Sequence, residues 1–176
     1  AKWEHLKGLT YSLVMGSEKE RRAALSRRAM IYIINRENVS WLVEHTSWRF
    51  DALVIDELSS FKSAKAQRFK ALRKVRPLCG RVIGLTGTPA PNTLIDLWPQ
   101  MYLLDMGQRL GRFLTHYRER FFVPDKRNRE IVYSYKLREG AEQKIYELIG
   151  DICISMKATD HLKMPELTMN RVEVHL

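Results

Sequence analysis

Asp56 and Glu57 are adjacent carboxylates at the end of the apolar run Ala52-Leu53-Val54-Ile55. A short run rich in β-branched residues reads as a buried strand of a parallel sheet. Residues just past the C-terminal end of such a strand stand where open α/β sheets bind their ligands. There one carboxylate of the pair can hold a magnesium ion, usually through water. Its neighbour can orient or deprotonate an attacking water. The same pair also occurs as a solvated turn or a helix cap. A second stretch narrows the choice. Arg81-Val82-Ile83-Gly84-Leu85 reads as another short buried strand, and Thr86-Gly87-Thr88-Pro89-Ala90-Pro91-Asn92 follows it. Gly87 allows a tight turn with close backbone approach. The hydroxyls of Thr86 and Thr88 can hydrogen-bond a carboxylate, and Pro89 and Pro91 stiffen the exit. An acid pair and a hydroxyl loop at two strand ends, with one helix between them, form a rarer pattern than either alone.

The elements that must position these residues follow from periodicity. Strands are expected over 11–15, 30–34, 52–55 and 81–85, and helices over 18–28 and 39–45, with a basic helix between Asp56 and Thr86. Ser17 with Glu20 three residues later forms a capping-box pattern. Alternation of strand and helix implies a parallel α/β sheet with crossover helices. Asn35, Arg36 and Glu37 also end a strand, either as a polar cap for the next helix or as a phosphate contact by Arg36. Beyond residue 92 the pattern changes. Helices are expected over 94–104, 113–121 and 141–149, with Trp98 in the core and Tyr117 packed on Phe121 at i, i+4. A polar turn over 124–129 and a strand over 131–137 suggest a β-hairpin, whose Arg127 and Arg129 could grip a nucleic-acid backbone. Short strands are expected at 153–156 and 171–174.

Composition fits one globular piece: 176 residues with 45% hydrophobic content can fill a core. No apolar run approaches the roughly 18 residues of a membrane span. Cys79 and Cys153 are isolated, without metal or redox spacing, and read as thiols of a reducing, cytoplasmic setting. The five histidines form no tight ligand cluster. Net charge is +10, which favours a polyanionic partner, most simply nucleic acid. Residues 62–76 hold Lys62, Lys65, Arg68, Lys70, Arg73, Lys74 and Arg76 and no acid. With Phe61, Ala64, Phe69, Leu72 and Val75 at near-helical spacing, this reads as an amphipathic helix with a cationic outer face.

Val54-Ile55-Asp56-Glu57-Leu58-Ser59 resembles motif II of superfamily 2 helicases, with Leu-Ser where many members carry Ala-His or Cys-His. Leu85-Thr86-Gly87-Thr88-Pro89 resembles their motif III in the form used by the Swi/Snf branch, and residues 96–122 resemble the stretch after it. The whole is most similar to compact Swi/Snf-type helicases of bacteria and their phages. The resemblance implies a RecA-like, P-loop NTPase-type parallel sheet flanked by helices. It implies an ATP-dependent helicase or translocase acting on double-stranded DNA with ATP and Mg2+. Asp56 is then the magnesium residue, Glu57 the catalytic partner, and Thr86, Gly87 and Thr88 the coupling motif. A phosphate-cradling loop needs glycine followed by lysine, and none of the nine glycines here has lysine next. Residues 1–92 are therefore expected to be a partial first motor domain without its phosphate loop. Residues 93–176 are expected to be a helical and β-hairpin extension leading toward a second RecA-like domain, which supplies arginine fingers in that family. The chain alone is expected to hydrolyse ATP negligibly. A non-catalytic DNA-binding module and a metal-dependent nuclease are the competing readings. In the nuclease reading, Lys62 stands too far beyond Glu57 and the threonine loop is unexplained.

Overall fold

The computed structural model describes residues 4–87, 93–126 and 132–156. Four short strands and three helices build its first part: β1 (Tyr11–Val14), α1 (Glu18–Ser26), β2 (Ile31–Ile34), α2 (Val39–His45), β3 (Ala52–Ile55), α3 (Gln67–Val75) and β4 (Arg81–Gly84). α1 starts at the expected capping box. Glu20 N–H donates to Ser17 Oγ at 3.4 Å, and Ser17 N–H donates to Glu20 Oε2 at 2.7 Å. The helix stops at Ser26, short of the expected 28. α3 is also shorter than the periodicity predicts. Phe61 sits on a 3-10 turn, Leu58–Phe61, and Ala64 in the loop after it, so both reach the core without belonging to α3.

The second part runs α4 (Leu97–Asp105), α5 (Leu114–Phe121), β5 (Phe122–Pro124), β6 (Tyr135–Leu137) and α6 (Ala141–Ile149). β5 and β6 pair antiparallel, with Pro124 opposite Tyr135, so the hairpin arm begins earlier than the expected turn. The hairpin tip that carries Arg127 and Arg129 lies outside the described residues, as does the strand expected at 171–174. Residues 153–156 form no strand: Ile154 is 90% exposed, and no neighbouring edge pairs with this segment among the described residues.

One apolar cluster extends from Val39 in α2 to Ile149 in α6 and ties the two parts together. Its centre is aromatic. Trp98 packs on Tyr102 at 5.2 Å between ring centroids and on Phe69 at 6.2 Å, and its Nε1 donates to Gly111 O at 2.9 Å. Tyr117 and Phe121 pack with tilted rings 5.4 Å apart, as their spacing predicts. The Tyr117 hydroxyl donates to Leu94 O, and burial pushes its ionisation well above the usual phenol range. Met106 ends α4 with left-handed angles, and Gly107 follows at φ +83°, a backbone that suits glycine, where a Cβ would meet Gly111 O at 2.7 Å.

Arg76, expected on the outer face of the basic helix, is buried instead. The helix ends at Val75 and a 3-10 turn carrying Pro77 turns Arg76 inward. Its guanidinium donates to the carbonyls of Leu103, Leu104 and Cys79. The first two belong to the last turn of α4, whose carbonyls have no partner within the helix, so Arg76 caps α4 from outside.

β1 pairs with β2, and β3 with β4, both in parallel as the alternation predicts. The expected single sheet is divided, however: among the described residues β2 and β3 do not pair. A cavity of about 860 Å³ is lined by both strands. Alternate strand residues (Leu13, Ile33, Val54 and Ile83) face outward and stay exposed, where a fully covered parallel sheet would bury both faces.

Candidate functional site

The Cα register of β3 and β4 places Ile55 beside Gly84, so the residues that follow each strand emerge side by side. Two backbone bonds continue the ladder past its formal end: Leu85 N–H donates to Ile55 O at 2.9 Å, and Leu58 N–H donates to Leu85 O at 2.7 Å. To make that second bond the chain must turn sharply at Glu57, which takes left-handed backbone angles, φ +53° and ψ +59°. Leu58 then drops into the core beside Gly84. A Cβ at Gly84 would come within 2.5 Å of Leu58 Cδ2, so a larger residue there would have to displace the Leu58 side chain.

The turn presents both carboxylates at an exposed rim of the cavity. Asp56 Oδ1 accepts from Glu57 N–H at 3.0 Å, its one hydrogen bond among the described residues. Glu57 Oε1 is shared by two hydroxyls. Ser59 Oγ donates to it closely, and Thr86 Oγ1 donates from the β4 side at 3.3 Å. Acid pair and hydroxyl loop thus meet in one place, bridged through Glu57. Gly87 follows at an open position where a Cβ would touch nothing within 4 Å. Thr88 lies outside the described residues.

Arg36 stands at the C-terminal end of β2, on the same cavity as Asp56 and Glu57. It pairs with Glu37 Oε1 at 3.2 Å. The backbone amide of Glu37, and then the Arg36 guanidinium, hold the Glu37 carboxyl below its usual range. The sequence reading missed Ser59 as a partner of Glu57, and it missed the Leu58–Gly84 contact. The hydroxyl two residues after Glu57 was the available signal for the first. The second depends on strand register, which only pairing reveals.

Among the described residues no cluster of three or more His, Cys, Asp or Glu side chains is disposed to hold a metal. A magnesium ion held through water needs only one or two carboxylates, and exposed Asp56 suits that mode. No helix of the described residues is long and apolar enough to cross a membrane.

No protein-family model matches the chain. Protein p41 of Acyrthosiphon pisum secondary endosymbiont phage 1 is 33% identical over 183 aligned residues, covering 99% of this chain and 40% of p41. Helicase ssl-1 of Caenorhabditis elegans is 41% identical over 58 residues, covering 33% of this chain and 2% of ssl-1. The Bacillus subtilis (strain 168) protein YwqA, whose name describes an ATP-dependent helicase/translocase, is 31% identical over 87 residues, covering 49% of this chain and 9% of YwqA. The chain thus spans two fifths or less of the length of these relatives. Among solved structures, the Sulfolobus solfataricus SWI2/SNF2 ATPase core in complex with dsDNA superposes with a TM-score of 0.58 at 21% identity, over 85% of this chain and 30% of that one. Over most of its length the chain therefore has an α/β fold similar to part of a SWI2/SNF2 ATPase core.

Proposed function

We propose that this chain is part of a Swi/Snf-like, superfamily 2 motor that couples ATP hydrolysis to movement on duplex DNA. The observation that carries this reading is the Glu57 carboxylate at the end of β3, held by a hydroxyl from its own turn and by Thr86 from the neighbouring strand. The DNA-bound structural neighbour and the two helicase-named relatives support it.

Phosphoryl transfer depends on positioning and on neutralising charge. Magnesium, when bound, supplies the neutralising charge, and Asp56 is the residue that would hold it through water. Glu57 orients the attacking water and accepts its proton. Because Thr86 bonds the same oxygen, a change at Glu57 during hydrolysis is felt in the loop of Thr86, Gly87 and Thr88, which passes it toward the DNA. Arg36 contacts a backbone phosphate, and Arg127 and Arg129 are further candidates on the hairpin. Residues 1–92 belong to the first RecA-like domain and 93–176 to its extension. A phosphate loop and a second RecA-like domain come from a longer protein, in keeping with the two-fifths span against p41.

The test is Glu57→Gln in that longer protein. Phosphate release with duplex DNA should fall by about 10²- to 10⁴-fold, the usual contribution of a general base, while duplex binding stays unchanged. An unaltered protein that binds duplex but turns over no ATP would sink the motor reading and leave a passive DNA-binding module.

A further inference from the structure

The outer face of α3 is built against helix physics. Its N-cap is Ala66, which makes no capping bond, and its first turn holds no acid. Arg68 sits in that turn, where the helix dipole disfavours a cation, and Lys62 and Lys65 precede it. Lys70 and Lys74 lie one turn apart, about 6 Å along the axis, with Arg73 between them. Like charges at i, i+3 and i, i+4 oppose helix formation. The dipole accounts for Arg73 and Lys74 in the last turn, but not for the others.

Compensating acids are scarce: after its own backbone amide and Arg36, the Glu37 carboxyl is also lowered by the charge of Arg68. None of these six outward cations enters an ion pair among the described residues, whereas Arg22, Arg36, Arg109 and Lys136 each find a carboxylate. Two of the six are nonetheless anchored. The Arg73 guanidinium lies 4.8 Å from the Tyr102 ring centroid, and Arg68 lies 5.7 Å from that of Phe61. Lys70, Arg73 and Lys74 remain exposed. A guanidinium held over a ring while still open to solvent loses less freedom on meeting an anion. α3 also leads away from the carboxylates, so its far turn is a surface distinct from the strand-end site.

We propose that the outer face of α3, centred on Lys70, Arg73 and Lys74, is a second contact for the phosphate backbone of duplex DNA, separate from the carboxylate site. It rests on duplex DNA being the partner but not on ATP hydrolysis. The probe is a fluorescein-labelled 20-base-pair duplex titrated with the 176-residue chain, without nucleotide, at several KCl concentrations. Each phosphate contact contributes about 0.9 to the slope of log affinity against log salt. The variant Lys70→Gln/Arg73→Gln/Lys74→Gln should therefore lower that slope by between about two and three. Lys70→Gln/Lys74→Gln, which leaves Arg73 on Tyr102, should lower it by about 1.8, and Lys70→Arg/Lys74→Arg should restore it. A charge-matched variant scattered over other elements, Lys19→Gln/Arg28→Gln/Lys144→Gln, should change it by less than one contact. An equal loss in the scattered variant, or an unchanged slope in the α3 variants, overturns this inference alone. No binding by the unaltered chain overturns the duplex reading as well.

Discussion

Glu57 carries a backbone conformation that a side chain of its kind rarely adopts, at a cost of roughly 1 kcal/mol or more. The surroundings enforce it. Leu58 must bond Leu85 and fill the core beside Gly84, so the turn has to be completed within the carboxylate pair. Asparagine tolerates left-handed angles better. Glu57→Asn should therefore raise stability by about 1 kcal/mol, read from the denaturation midpoint, while abolishing ATP hydrolysis in the longer protein. A clear fall in stability would show instead that the carboxylate itself holds the turn. The acids and Thr86 were legible in the sequence because each ends a short apolar run, and that signal is local. Ser59, Leu58 and Gly84 were less so, since their roles arise only when β3 and β4 align at Ile55 and Gly84.

Elements with strong local signals came out as the sequence predicts. α2 and α6 have the expected bounds, and α1 begins at its capping box. Signals failed where tertiary contacts decide. Arg76 looks like one more cation of a solvated stripe, yet the helix ends one residue before it. Its fork then satisfies carbonyls at the end of an element distant in sequence. Arg76→Ala should cost about 3 kcal/mol in chemical denaturation, since removing the fork leaves buried carbonyls unpaired. Arg76→Lys should recover less than half of that, because an ammonium cannot span acceptors as a planar guanidinium does. Full recovery by lysine would show that charge, rather than geometry, caps α4. The strand expected at 153–156 failed for a related reason: an extended segment needs an adjacent edge to pair with, and none is offered there among the described residues.

At the scale of the molecule, the helices among the described residues cover one side of the parallel ladders and leave Leu13, Ile33, Val54 and Ile83 exposed on the other. A carboxylate pair without a phosphate loop or arginine fingers leaves the γ-phosphate of a bound triphosphate uncompensated. Steady-state phosphate release by the 176-residue chain with duplex DNA should accordingly fall far below about 1 per second, the low end of ordinary enzymes. Turnover at that rate would mean that these residues suffice.

The gap between β2 and β3 has a consequence for handling the protein. Ile31-Tyr32-Ile33-Ile34 and Ala52-Leu53-Val54-Ile55 carry neither charge nor proline, the usual guards of a free strand border. Among the described residues each has one edge with no strand partner, along with exposed apolar side chains, open to any extended segment that drifts by. Concentrating the bare chain should make copies stick to one another, and light scattering should show mass growing with dose. A single lysine at Val54, which is 60% exposed, should keep the copies apart while leaving the fold intact.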